Sequence, residues 1–267
     1  MRLLPISRRE CWVVALTVRQ IAGVCRNRRG GIDNHFIQEC PAITDGNCWQ
    51  QALDALSTWL THKTRPVHLR LILSDQFVRY ALIPWSPGVT SPMEMERLGR
   101  AYLEQWHGTM ENWQISIDHG EYGLPRLVCA LPSAFQNALM KTLEQGNNQY
   151  AEITPYLVTC WNRWRHNIPS DALLAIAENS GPAMLLSIRG GIWQNVRLVS
   201  GPQNQESLER LLTREALLQG FETAPATWIH CAGLPDSGRR KTNSTMLDAT
   251  SPVNQPALDI ACVGAGL

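Results

Sequence analysis

The sequence repeats one order of elements at a fixed distance along the chain. Arg29-Gly30-Gly31-Ile32 returns as Arg189-Gly190-Gly191-Ile192, which lies 160 positions later (189 minus 29). Because glycine adopts positive φ freely, each Gly-Gly pair predicts a tight hairpin between two strands. In each half, three β-rich runs precede a helical pattern and one more apolar run. The repeat therefore predicts two related halves, each folded β-β-β-α-β.

The runs that carry this pattern are apolar and bounded by turn residues. In the first half the predicted strands are Cys11–Thr17, Ile21–Arg26, one beginning at Ile32, and Val67–Leu73, with a helix from an Asp45 N-cap to about His62. In the second half they are Ala172–Ala177, Ala183–Ile188, Ile192–Val199 and Thr227–Cys231, with a helix over about 206–219. Leu258–Val263 is predicted as a last strand.

A further set of elements separates the two halves. The predicted strands are Phe77–Ile83, Trp113–Ile117 and Leu127–Leu131, and the predicted helices are Met93–Trp106, a Ser133-capped Phe135–Leu143 and Pro155–Arg165. We therefore expect a first half over residues 1–165, with an inserted α/β subdomain at about 76–150, and a second half over 166–267. Residues 235–256 are rich in polar residues, Gly and Pro, which predicts a long, mobile, exposed loop.

Composition limits the class of protein. Hydrophobic residues make up 44% of the chain and charged residues 18%, which is too apolar for a disordered chain. Lys plus Arg (24) nearly balances Asp plus Glu (23), so we expect no attraction to nucleic acid. No apolar run reaches the roughly 18–20 residues that span a membrane, and no Cys-x-x-Cys pair occurs. These features predict a cytoplasmic protein without a membrane span, a disulfide scaffold or a metal site.

Two β-β-β-α-β halves with a subdomain inserted in the first are the layout of the actin-like, ribonuclease-H-like fold. Within that layout, Leu69–Pro84, Trp113–Ile117 and Arg126–Pro132 with the helix after it resemble the type IV pilus assembly protein PilM. They also resemble its relatives, the mannose-sensitive pilus protein MshI and the cytoplasmic part of the type II secretion protein GspL. The resemblance implies a cytoplasmic scaffold that binds the cytoplasmic tail of an inner-membrane partner. It also implies a possible second contact, with a secretion or pilus motor ATPase.

The residues expected to bind nucleotide argue against catalysis. Actin-like ATPases need a carboxylate and small residues after the first strand, where metal and phosphate bind. This chain has Ala15–Gln20 there, with neither carboxylate nor glycine. In the second half, Glu178 and Gly181 could imitate the equivalent turn, and Gly264 and Gly266 resemble glycines on the adenosine side. We predict a non-catalytic protein with no cofactor and no catalytic residue.

Proteins of the same fold have two other activities. An actin-like ATPase or nucleotide-binding protein stays open as the alternative, and Glu178, Gly181, Gly264 and Gly266 are its candidate residues. A nuclease related to ribonuclease H would need several acidic residues converging on the sheet, and the first strand provides none. Aromatic and basic residues alternate over 161–166, as on a nucleic-acid stacking platform, but the balanced charge argues against that role.

The first candidate for partner binding lies in a stiff loop, Pro84–Pro87. Trp85 lies between Pro84 and Pro87, where an aromatic side chain is hard to bury and loses little entropy on binding. Exposed tryptophans often anchor interfaces, so Trp85 is the predicted anchor. Arg79 on the preceding strand is predicted to offer a charge to an acidic tail. Seven arginines within residues 1–31 leave two interpretations open, contact with an anionic surface or a solvated hairpin.

Overall fold

The computed structural model describes residues 10–27, 29, 31–41, 47–64, 66–89, 91–145, 149–178, 182–199, 205–221, 225–232, 244–247 and 255–266. The strands are β1 (Cys11–Leu16), β2 (Gln20–Arg26), β3 (Ile32–Glu39), β4 (His68–Leu73), β5 (Arg79–Ile83), β6 (Trp113–Ile117), β7 (Arg126–Pro132), β8 (Gln149–Pro155), β9 (Ala172–Glu178), β10 (Ala183–Arg189), β11 (Ile192–Val199), β12 (Ala226–Ala232) and β13 (Ser244–Met246). The helices are α1 (Gln50–Thr61), α2 (Pro92–His107), α3 (Ser133–Glu144), α4 (Tyr156–Trp164), α5 (Gln205–Leu218) and α6 (Pro256–Ala265).

The two halves share one sheet topology. The first sheet has the order β3-β2-β1-β4-β8 and the second the order β11-β10-β9-β12-β13. In each, the first strand pairs antiparallel with the second and parallel with the strand that follows the helix. The predicted fold class, two ribonuclease-H-like halves with an inserted subdomain, is confirmed.

The insert is a small sheet with the order β5-β7-β6. Apolar side chains on one face of this sheet form a separate core with α2, to which Ile83, Leu103 and Val128 contribute. The other face turns toward the main core, where Tyr80 and Leu127 are buried. β8 then pairs with β4, so the chain returns from the insert to the first sheet.

The last helix corrects one sequence prediction. Leu258–Val263 was expected as a strand, but it lies within α6, which packs against β1 and β2 of the first half. Apart from Asp259 the run is apolar, it is almost wholly buried, and periodicity cannot separate a buried helix from a buried strand. Pro256 occupies the first helical position, which suits proline because no intrahelical N–H is needed there.

Smaller differences concern the ends of elements. Ser244–Met246, inside the expected loop, forms the strand β13, whose three residues are too short for a recognisable pattern. Residues 235–243 and 248–254 of the predicted loop lie outside the described residues, as does the predicted N-cap Asp45. Phe77 belongs to a 3-10 turn, so β5 begins at Arg79, and Ser133 is the first residue of α3 rather than its cap. Within the described residues, no helix is both long and apolar enough to cross a membrane.

Candidate functional site

A buried polar cluster joins the two halves where β4 and β9 end. The Glu178 carboxylate accepts hydrogen bonds from Ser74 Oγ, at 2.8 and 2.7 Å from its two oxygens. It also accepts from the backbone N–H of Asp75 at 3.0 Å and from Gln76 Nε2 at 3.3 Å. Ligands of open α/β sheets bind at the carboxyl ends of such strands. Here one side chain of the second half occupies that position and bonds to the first half.

Asp75 extends this cluster to two further elements. Its Oδ1 accepts from the hydroxyl of Tyr80 on β5 at 2.5 Å and from the N–H of Leu157 on α4 at 3.0 Å. We call Ser74, Asp75, Gln76, Tyr80 and Glu178 the inter-half cluster. It connects the β4–β5 turn, the insert, α4 and the second half.

The two carboxyl groups of the cluster are shielded from water. Burial, together with repulsion from Glu178, raises the pKa of Asp75 to about 7. Burial also raises the pKa of Glu178, although the hydrogen bonds from Ser74, Asp75 and Gln76 oppose that rise. Their donors come from the protein itself, so the arrangement serves to hold elements together.

The turn after β1 is closed on itself. Thr17 donates from its backbone N–H and from its hydroxyl to the carbonyl of Gln20, at 2.9 and 2.8 Å. The N–H of Gln20 in turn donates to Thr17 Oγ1 at 3.1 Å. These amide groups therefore bond within the turn, at the position where an actin-like ATPase would present amides to phosphate.

A groove lies between the insert, α4 and the second half. Its volume is about 440 Å³, and the apolar residues that line it include Leu82, Leu127, Val158, Trp161, Ile192 and Trp193. The rings of Trp161 and Trp193 meet edge to face, with centroids 5.1 Å apart. Asp118 and Arg165 also line the groove and supply charges of opposite sign.

Comparisons with known proteins place the fold. No protein-family model and no curated protein sequence matches the chain. A chain of the PilM–PilN type IV pilus biogenesis complex matches with a TM-score of 0.67 at 12% identity, over 97% of this chain and 98% of that one. The fold is actin-like.

Two other solved structures match over most of their length. The cytoplasmic domain of EpsL, an inner-membrane component of the type II secretion system of Vibrio cholerae, has a TM-score of 0.56 at 11% identity, over 95% of this chain and 92% of that one. A Bacteroides thetaiotaomicron protein of unknown function with an actin-like ATPase fold has a TM-score of 0.58 at 12% identity, over 88% and 87%.

The residues predicted for nucleotide have other contacts within the actin-like fold. Glu178 belongs to the inter-half cluster, and Gly181 lies outside the described residues. Gly264 is inside α6, where a Cβ would lie 2.0 Å from Ile72 Cδ1. Gly266 caps that helix in the left-handed conformation, with φ of 75°. Nucleotide binding by these residues stays a prediction.

The two predicted partner-binding residues lie at opposite ends of β5. Trp85 is 38% exposed and meets the 88% exposed Tyr122 edge to face, with ring centroids 5.2 Å apart. Arg79 lies over the ring of Trp113 and donates to the carbonyls of Gln76 and Val78. They are six positions apart, and the four steps along β5 alone span about 13 Å, so they do not form one contact point.

Local sequence patterns do not predict a site at Asp75, Ser74 or the Trp161–Trp193 pair. A signal for the first two was present, because a Ser-Asp pair directly follows the apolar strand β4. Trp161 and Arg165 were noticed, but in connection with nucleic acid. Their partner Trp193 is distant in sequence, so no local pattern could have paired them.

Proposed function

We propose that this protein is a non-catalytic, actin-like cytoplasmic scaffold of a type IV pilus or type II secretion assembly. It binds a short cytoplasmic segment of an inner-membrane partner and reaches the membrane through that partner. The groove is the observation that carries the proposal. A contact with a motor ATPase, implied by the resemblance, stays a prediction without an assigned surface.

The proposal of a non-catalytic role rests on the groups where nucleotide would bind. The turn at Thr17–Gln20 has no carboxylate, and the N–H groups of Thr17 and Gln20 bond within the turn. Glu178, the acidic residue at the matching position of the second half, is held by the Ser74–Gln76 turn. An ATPase would need a carboxylate free to hold metal or water. We therefore expect no magnesium-dependent ATP hydrolysis above a no-enzyme blank.

The groove suits an extended peptide better than a small polar molecule. The apolar part of its surface is formed mainly by leucine, isoleucine and tryptophan side chains, which bind apolar side chains by excluding water. Asp118 and Arg165 can pair with charges flanking such a segment. Trp85 follows the groove residue Leu82 by three positions, so the Trp85–Tyr122 pair can extend the contact beyond the groove.

The structural neighbours support the choice of partner. One is a chain of a complex between PilM and PilN, and another is the cytoplasmic domain of an inner-membrane secretion component. The match to each extends over more than nine-tenths of both chains. We therefore propose, as the partner, a single-span inner-membrane protein encoded beside this one, bound through its short cytoplasmic segment.

Calorimetry with a synthetic peptide of that cytoplasmic segment tests the proposal. Truncation of an aromatic anchor usually costs about 1–3 kcal/mol of binding free energy, so we expect that loss for Trp161→Ala and for Trp85→Ala. Trp106→Ala is the matched control, because Trp106 is 72% exposed on α2 and does not line the groove. Melting curves show whether each variant is folded. An affinity that is unchanged in both Trp161→Ala and Trp85→Ala, or equally reduced in Trp106→Ala, would overturn the proposal.

A further inference from the structure

One carboxyl oxygen, Asp75 Oδ1, accepts hydrogen bonds from the start of two elements that line the groove, β5 and α4. Tyr80 is the second residue of β5 and Leu157 is the second residue of α4, and both donate to Asp75 Oδ1. Further along the same elements, Leu82 and Trp161 line the groove. Cys129, which also lines the groove, is near enough that the charge of Asp75 helps to raise the pKa of its thiol. Asp75 therefore bonds to one residue at the start of β5 and one at the start of α4.

The helix end explains why a carboxyl group is suited to this position. The residue before α4 is Pro155, whose side chain makes no capping hydrogen bond, so Asp75 satisfies an N–H of the first turn from outside the helix. A negative charge at a helix N-terminus is also favoured by the helix dipole. The same turn bonds to Glu178, so the second half, which contributes Trp193, is tied to the same point.

The groups that face Asp75 come from four elements. They are Glu178 from β9, Tyr80 from β5, Cys129 from β7, and Tyr156 and Cys160 from α4. Burial raises the pKa of both tyrosines and both thiols, so these four groups are neutral near pH 7. Among the described residues, the charge that an ionised Asp75 meets is therefore that of Glu178, and two buried like charges repel.

We propose that Asp75 positions the walls of the groove, and that loss of its proton weakens binding of the partner segment. This inference rests on the proposed function. A protonated Asp75 keeps Oδ1 as the acceptor for Tyr80 and Leu157 but carries no charge beside Glu178. An ionised Asp75 pushes the Ser74–Gln76 turn away from Glu178, and the starts of β5 and α4 move with that turn. The pKa of Asp75, raised to about 7, places the change in the neutral range.

The test is calorimetry with the same synthetic peptide at several pH values. For the wild-type protein we expect the affinity to fall about fivefold or more between about pH 6 and about pH 8, the low end of usual coupling between linked sites. Asp75→Asn keeps an acceptor oxygen and cannot ionise. It should bind with the low-pH affinity at every pH. Asp118→Asn is the control for a carboxylate that lines the groove directly, and it should keep the fall.

A second variant keeps the inference testable if Asp75→Asn does not fold. The hydroxyl of Tyr80 stabilises the ionised form of Asp75, so Tyr80→Phe should move the midpoint of the affinity change to higher pH. Three results would overturn the role of Asp75 but leave the proposed function intact. They are a wild-type affinity that does not vary with pH, an unchanged fall in affinity in folded Asp75→Asn, and an unmoved midpoint in Tyr80→Phe. Absence of binding at every pH overturns the proposed function and this inference together.

Discussion

Gly264 provides a sharp test of how the last helix lies on the first half. A Cβ at this position would lie 2.0 Å from Ile72 Cδ1, 3.0 Å from Ile72 Cγ1 and 3.2 Å from Val13 Cγ1. Ile72 is 1% exposed, so it has little room to move. Alanine gains about 1 kcal/mol over glycine in a helix interior, whereas overpacking a core costs about 1–3 kcal/mol. With the first contact this short, we expect Gly264→Ala to lower the free energy of unfolding by about 1–2 kcal/mol.

A double-mutant cycle separates this clash from other causes. Ile72→Val removes the Cδ1 atom and should by itself cost about 1 kcal/mol. Combined with Gly264→Ala, it should relieve the clash, so the double variant should be about as stable as Ile72→Val alone. Urea unfolding followed by circular dichroism measures all three. Gly88→Ala is the control, because a Cβ there meets no atom within 4 Å. If Gly264→Ala stabilised the protein, or if the effects of Gly264→Ala and Ile72→Val on the free energy of unfolding were strictly additive, α6 would not pack against Ile72 at this distance.

Two further predictions concern buried charges. Because the pKa of Asp75 is raised to about 7, its protonated form stabilises the folded protein. This stabilisation, at most about 4 kcal/mol, is complete below about pH 4 and is lost as the pH rises through about 7. Asp75→Asn should therefore flatten this part of the curve of urea midpoint against pH. The side chain of Glu215 is 2% exposed and pairs with Arg197, whose side chain is 35% exposed and therefore partly screened by solvent. Arg197→Ala should lower the free energy of unfolding by about 1–2 kcal/mol in urea unfolding, because the buried carboxylate keeps the amide donors of Asn195 and Gln219 but loses its cation; an unchanged stability would contradict this pairing.

Local patterns predicted the two halves well. The Gly190-Gly191 hairpin, the alternation in β4 and the apolar runs of β1 and β9 depend on neighbouring residues, which a single sequence displays. The first hairpin is less tight than predicted, because β2 ends at Arg26 and β3 begins only at Ile32. α6 was predicted wrongly because it is buried on nearly every side and, apart from Asp259, has no polar face, and β13 was missed because it has only three residues.

The site was less accessible to prediction than the fold. The bond between Ser74 and Glu178 joins residues 104 positions apart, and its existence depends on how the halves dock. Trp161 and Trp193 likewise meet only once α4 lies beside the β10–β11 hairpin. Trp85 was singled out because two prolines flank it, which is a local signal, and it is indeed partly exposed.

Hydrogen exchange of the full chain, with and without the synthetic peptide, shows whether the groove binds a peptide. With the peptide we expect slower amide exchange in Val158–Arg165, around the β10–β11 hairpin and in β7, which together border the groove. We expect no change at Thr17–Gln20 or Ser74–Gln76 when magnesium and ATP are added instead. Protection of those two turns by ATP, with the groove segments unaffected by the peptide, would contradict the account and favour a nucleotide-binding protein.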